Sequence, residues 1–270
     1  MKIMNNDNCQ LHNLKKFPSK FISLSLALLL QACLPINYAN ETSKVKVMSL
    51  GDSLCANNIK ALRNAVERTK FGSKIDWVGT KKDGAYKDSD NECRGGWSAA
   101  QVLQKPGANV RLPAWENRPG SVRNWVESTK PDIVLIMIGT NDFFGSKDRG
   151  NDTSNSLKES LQGIINNIYT IRPNATIVVA SIPPFKWNID KGIDTNKTKT
   201  TTNAFLKQFV TRLSAQNKRI YFLDMHAAIL ARSRQSNIFQ NDGLHFNDEG
   251  NKFIAEQWTN ALTKVMQEKK

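Results

Sequence analysis

Three short stretches of this chain hold side chains that can work together on a carbonyl group. "MSLGDSLCANN" (48–58) places Ser53 at the end of an apolar run, "GTND" (139–142) contributes Asn141, and "NDGLHFNDEGNKF" (241–253) contains Asp242 and His245. A serine hydroxyl is a weak nucleophile until a neighbouring base takes its proton. Asp242 and His245 lie three apart across a Gly-Leu turn, so the carboxylate can accept from one imidazole nitrogen and leave the other free as that base. Each stretch also has a purely structural explanation. Serine is favoured as a helix N-cap, Gly-Thr-Asn-Asp is good turn chemistry, and a histidine ahead of a helix can simply cap it. Asp52 and Asp142 are expected to fix turns through backbone hydrogen bonds. Asp224 and His226 of "FLDMH" share a strand face, and a structural role is expected for both.

The pattern of the chain shows how the three stretches could meet. "VKVMSL" (45–50), "KIDWVGT" (74–80), "DIVLIMIG" (132–139), "ATIVVASI" (175–182) and "RIYFLDM" (219–225) read as strands, and the unbroken apolar character of 132–139 implies burial on both faces. Helical periodicity is expected at about 58–70, 98–104, 120–129, 154–171, 201–216 and 248–266. Strands alternating with helices predict an α/β fold, a three-layer α/β/α sandwich around a parallel sheet of about five strands. Ligands of such sheets sit at the carboxyl ends of the strands. Ser53, the GTND turn and the segment after the last strand all fall at that edge.

Composition narrows the context. The 270 residues are 40% hydrophobic and 23% charged, as in an ordinary globular protein, and show no internal repeat or interdomain linker. Lys15, Lys16 and Lys20 precede "FISLSLALLLQAC", which is too short to span a bilayer comfortably and has the layout of a secretory signal. Residues 1–33 are therefore read as a signal peptide, 34–44 as a short linker and 45–270 as the folded domain. "LQAC" (30–33) resembles a lipoprotein signal, which would lipidate Cys33 and attach the chain to the bacterial envelope; the other route is cleavage near Ala39. The expected location is periplasmic or extracellular.

The formal net charge of +14 falls to about +11 once Lys2, Lys15, Lys16, Lys20 and Asp7 are removed with the leader. The lysines are scattered, without the dense basic tract and interleaved aromatics of a nucleic-acid site, so no nucleic-acid partner is expected. Four cysteines and three histidines show no metal-ligand spacing, and no cofactor is called for. In an oxidising compartment Cys55 and Cys93 are the natural disulfide pair, stabilising by about 4 kcal/mol on chain-entropy reasoning. Two buried free thiols are the alternative.

Taken together, the blocks "GDSL" (51–54), "GGWS" (95–98), "GTND" (139–142) and "DGLH" (242–245) resemble those of the SGNH, or GDSL-type, hydrolase family, in order and over roughly residues 45–266. The α/β-hydrolase elbow G-x-S-x-G is absent. The resemblance implies a flavodoxin-like SGNH fold with Ser53 as nucleophile, His245 as general base and Asp242 as its orienter. It also implies an oxyanion hole of the Ser53 and Gly96 backbone N–H groups and the Asn141 side-chain amide. A Cys55–Cys93 bridge would then tie the nucleophile loop to the oxyanion loop. Trp97, beside Gly96, is a candidate for stacking on a sugar ring, or else packs the start of a helix.

The wording of the motifs is most similar to the family's carbohydrate acetylesterases. The expectation is an exported serine esterase that removes short acyl groups, O-acetyl foremost, from carbohydrate through an acyl-enzyme. A lipid esterase, lysophospholipase or thioesterase of the same family, and an inactive glycan-binding module, are the alternatives. The loops at about 80–97, 106–120 and 183–200 carry Asn, Asp, Lys and Trp rather than long apolar runs, which suits a polar substrate. Activity should fall below roughly pH 6, where a histidine base takes up a proton.

Overall fold

The computed structural model describes residues 43–82, 88–104, 120–143, 150–190, 197–216 and 218–268. The expected signal segment 1–33 with Cys33, residues 34–42 of the linker, and most of the loop at 106–120 lie outside the described residues. The strands are β1 (Val45–Gly51), β2 (Ile75–Trp77), β3 (Lys81–Lys82), β4 (Asp90–Cys93), β5 (Ile133–Met137), β6 (Thr176–Ala180) and β7 (Ile220–Leu223). The helices are α1 (Ser53–Glu67), α2 (Ala99–Leu103), α3 (Val122–Thr129), α4 (Gly150–Ile171), α5 (Lys186–Asp190), α6 (Lys197–Ala215), α7 (Met225–Ser233) and α8 (Asp248–Glu268).

The strands form one sheet in the order β3-β4-β1-β5-β6-β7. The β2 strand pairs with the first half of β1, on the edge where β4 pairs with its end. Every pairing is parallel except β3 with β4. The sheet is thus larger than the expected five strands, the additions being the short hairpin β3–β4. Its residues are Lys81, Lys82 and Asp90–Cys93, so it has no apolar run to announce it.

Alternation along the strands builds two apolar layers. Met48, Leu50, Val134, Ile136, Ile177 and Val179 face α2, α3, α4 and α6. Val47, Ile133, Leu135, Met137, Val178 and Ala180 face α1, α7 and α8. Side chains of successive strand residues point to opposite faces, so all five residues of β5 are buried. On α8, Ile254, Trp258, Leu262 and Val265 recur at three- to four-residue spacing and cover the sheet, the stripe expected of a one-faced helix. The result is the α/β/α sandwich read from the sequence.

The first helix begins earlier than its periodicity indicated, at Ser53 rather than near Asn58, because Asp52 supplies the cap. Its carboxylate accepts from the Leu54 N–H at 3.0 Å. The short α5 and α7 helices are additions to the helices expected from periodicity.

Candidate active site

Register brings three strand ends level. Gly51, the last residue of β1, pairs with Cys93 at the end of β4 on one side and with Met137 at the end of β5 on the other. A side chain at Gly51 would meet the Met137 carbonyl oxygen at 2.2 Å and the Cys55 Cβ at 2.6 Å, so only glycine fits this crossing. From that row the chain reaches Ser53 two residues on, Gly96 three residues on and Asn141 four residues on.

The three turns are stitched to one another. Asp52, fully buried, caps α1 with one carboxylate oxygen and accepts from the Thr140 N–H at 3.3 Å with the other. Asp142 accepts from the Ala99 N–H at 3.0 Å, and the Asn141 side-chain amide donates to the Trp97 carbonyl at 2.9 Å. Burial pushes the Asp52 carboxyl up to about 7 and the Asp142 carboxyl up to about 6, against the pull of those backbone donors. Both aspartates hold turns, as expected from the sequence.

Ser53 is therefore not the N-cap. It is the first residue of α1, where backbone N–H groups have no intrahelical acceptor and the helix dipole favours negative charge. Its Oγ lies 3.0 Å from His245 Nε2. His245 Nδ1 lies 2.6 Å from Asp242 Oδ2, and since a carboxylate can only accept, Nδ1 carries the proton and Nε2 presents a lone pair to the serine. Partial burial works to raise the Asp242 carboxyl. Hydrogen bonds from the imidazole and from the Leu244 and His245 N–H groups outweigh it and hold the group below the usual carboxylate range. The His245 turn is closed by the Gln240 N–H donating to the His245 carbonyl and by a bridge between Phe239 and Phe246.

Gly96 sits third in the turn Arg94–Trp97, closed by the Trp97 N–H on the Arg94 carbonyl at 3.1 Å. Its φ of 79° is the left-handed value that this turn position demands and that favours glycine. Gly96 is exposed whereas Gly95 is buried, so Gly96 is the glycine whose backbone faces outward. Trp97 is a correction to the sequence reading. It is only 2% exposed and packs against Trp125, with ring centroids 5.9 Å apart, so it cannot stack on a substrate. Its indole lies in the core cluster with Ala99 and Val102 of α2, in keeping with the alternative that it packs the start of a helix.

Cys55 and Cys93 are joined by a disulfide that links the first turn of α1 to the end of β4. Asp224 and His226 are structural: Asp224 caps α7 through the Ala227 N–H, and His226 Nδ1 contacts the Ile182 carbonyl at 2.8 Å. Sequence reasoning missed the buried pair Glu92–Arg94, which supports the turn to Gly96 at 2.5 Å, and Lys199, whose Nζ donates to the Pro183 carbonyl at 2.9 Å. Burial lowers the Lys199 ammonium to about 6, partly offset by the charge of Asp52. Neither lies in a motif. Among the described residues no group of His, Cys, Asp or Glu is disposed to hold a metal ion, and no helix is long and apolar enough to cross a membrane.

A three-layer α/β/α sandwich with a serine, histidine and aspartate in hydrogen-bonded series at the carboxyl edge of its sheet defines the class. The chain belongs to the GDSL-like lipase/acylhydrolase family, which it matches over residues 50–253. It is similar in fold to a mutant acetyl esterase solved with acetate (TM-score 0.65, 22% identity, covering 84% of this chain and all of that one). A family 3 carbohydrate esterase of Clostridium thermocellum has the same fold (TM-score 0.62, 22% identity, 83% of this chain and 98% of that one). In sequence, the chain is 27% identical over 138 residues to "Putative endoglucanase X" of Acetivibrio thermocellus. That match covers 51% of this chain, and the chain spans about half the length of that relative, 53%.

Proposed function

We propose that this protein is an exported serine esterase that removes short acyl groups, acetyl foremost, from carbohydrate. The observation that carries the reading is the unbroken series Ser53 Oγ, His245, Asp242, with contacts of 3.0 and 2.6 Å. His245 Nε2 takes the Ser53 proton as Oγ attacks the ester carbonyl carbon. The negative charge that appears on the carbonyl oxygen is met by the Ser53 and Gly96 N–H groups and the Asn141 amide. Collapse breaks the bond to the sugar oxygen, which leaves with the proton from His245, and the acyl group stays on Ser53. Water, deprotonated by His245, then attacks the acyl-enzyme and releases the carboxylic acid. Asp242 keeps the imidazole oriented and offsets its transient positive charge.

The carbohydrate part of the reading is supported by the fold likeness to carbohydrate esterases and by the surface. Among the described residues only one large hydrophobic side chain is exposed, which gives a fatty acyl chain no continuous apolar bed. Hydrolysis of chromogenic esters from acetyl to palmitoyl, beside the Ser53→Ala protein, tests the proposal. Turnover greatest for acetyl and lost in Ser53→Ala supports it. Preference for long chains moves the substrate to lipids, and inactivity of both proteins leaves a glycan-binding relic.

A further inference from the structure

The one large hydrophobic side chain left exposed among the described residues stands beside the turn of the candidate base. Trp187, 36% exposed, lies on α5, in the segment that follows the carboxyl end of β6 and therefore at the same edge of the sheet as Ser53. The Lys186 N–H donates to the Gly243 carbonyl at 2.9 Å, fastening the start of α5 to the turn between Asp242 and His245. A side chain at Gly243 would come within 2.9 Å of Trp187 Cε3, so the indole rests directly against this turn. Gly243, with φ of 66°, leaves the room the ring occupies.

The indole is packed against a second ring. It stacks on Phe185 at 4.5 Å between centroids and 21° between planes, and Lys199 Nζ stands 2.9 Å from the Phe185 centroid. The surroundings are polar: Lys186 pairs with Asp190 at 2.6 Å, and the Asp242 side chain is 47% exposed. A single exposed aromatic ring with a charged rim is a poor seat for an alkyl chain, which needs contiguous apolar surface. It matches a sugar ring, whose C–H face is apolar and whose hydroxyl edge is polar.

We propose that Trp187 is a stacking platform for a pyranose ring of the substrate and selects carbohydrate esters over simple ones, an inference that rests on the carbohydrate-ester reading above. It takes over the role that the sequence assigned to Trp97. Binding is measured first, by calorimetry on the full chain carrying Ser53→Ala, with xylotetraose, cellotetraose and chitotetraose. At least one of these binds, Trp187→Ala weakens it about tenfold, the scale of one aromatic contact, and Trp187→Phe keeps most of it. No binding of any of the three, or equal binding after Trp187→Ala, overturns the proposal.

The kinetic readout is the ratio of kcat/KM for the acetylated form of the bound sugar to that for p-nitrophenyl acetate. In Trp187→Ala this ratio falls about tenfold through KM. A proportional fall for both esters means that the indole merely supports the Gly243 turn, and the platform is rejected. Absence of turnover on any ester by the unsubstituted protein defeats the esterase reading instead, while the binding measurement still decides the role of Trp187.

Discussion

The two strands flanking the end of β1 reach the same row by opposite means. The β5 strand, "IVLIM", is positioned by burial: all five side chains are packed into the two apolar layers, and the GTND turn follows at its end. The β4 strand, "DNEC", is positioned by polar contacts that are equally buried. Glu92 and Arg94 are fully buried and paired, Arg94 also donates to the Thr80 hydroxyl, and Glu92 accepts from the Thr80 N–H. The Asn91 side chain accepts from the Cys93 N–H, and Cys93 is bonded covalently to Cys55. The turn that carries Asn141 thus stands on nondirectional packing, which tolerates small changes. The turn to Gly96 stands on a network in which losing one partner strands another.

The largest effect should come from cutting that network. Arg94→Ala leaves the Glu92 carboxylate buried without its partner, a change that typically costs about 3–5 kcal/mol. Burial already pushes that carboxyl up, and Thr80 would be left as its remaining hydrogen-bond partner. Thermal melts should show the loss, whereas Ile136→Val in the adjoining apolar layer should cost only about 1 kcal/mol. Equal shifts would erase the distinction between the two strands.

Asn141→Ala separates positioning from chemistry. The rate on an acetyl ester should drop about 10²- to 10³-fold, as for loss of one oxyanion donor, with the melting temperature little changed. Parallel loss of folding and activity would make Asn141 a tie to the Trp97 carbonyl and nothing more. The disulfide gives the next effect: mild reduction should lower activity at temperatures where circular dichroism still reports a folded chain, because the bridge joins the Ser53 helix to the strand that leads to Gly96. Full activity in reductant, with both thiols alkylated in the native state, would contradict this.

The smallest effect is a slope in pH. Asp52 has its folded pKa raised by burial to about 7, so between its unfolded value near 4 and pH 7 the native state keeps a proton that the unfolded chain has lost. Its contribution to stability is therefore complete below about pH 4 and is lost as pH rises through 7. Asp52→Asn removes this titration, and the melting temperature of the variant relative to the parent should improve from pH 5 to pH 7.5. A constant difference would mean that Asp52 is ionised throughout.

The same contrast explains what was legible in the sequence. The β1, β5 and β6 strands are apolar runs bounded by turn residues, and the Ser53, Asn141 and His245 turns follow recognisable motifs, so the sheet edge and its groups could be read in advance. The β4 strand could not be read, because Asn91, Glu92 and Arg94 look like a solvated loop until their partners are known. Trp97 and Trp187 were indistinguishable by type. Trp97 could stack on a sugar or pack the start of a helix and the core closes over it, whereas Trp187 sits in a five-residue helix with no periodicity of its own. Lys199 is one of two lysines in "NKTKTTTN", and only the fold buries it.

The central claim is that Ser53 is activated by His245 for attack on a carbonyl. The most direct test is the intact mass of the protein after treatment with a serine-reactive fluorophosphonate, followed by peptide mapping. The account predicts a single adduct on Ser53, formed rapidly by the parent protein and suppressed in His245→Ala. No adduct, or one elsewhere while Ser53 stays unmodified, would contradict it.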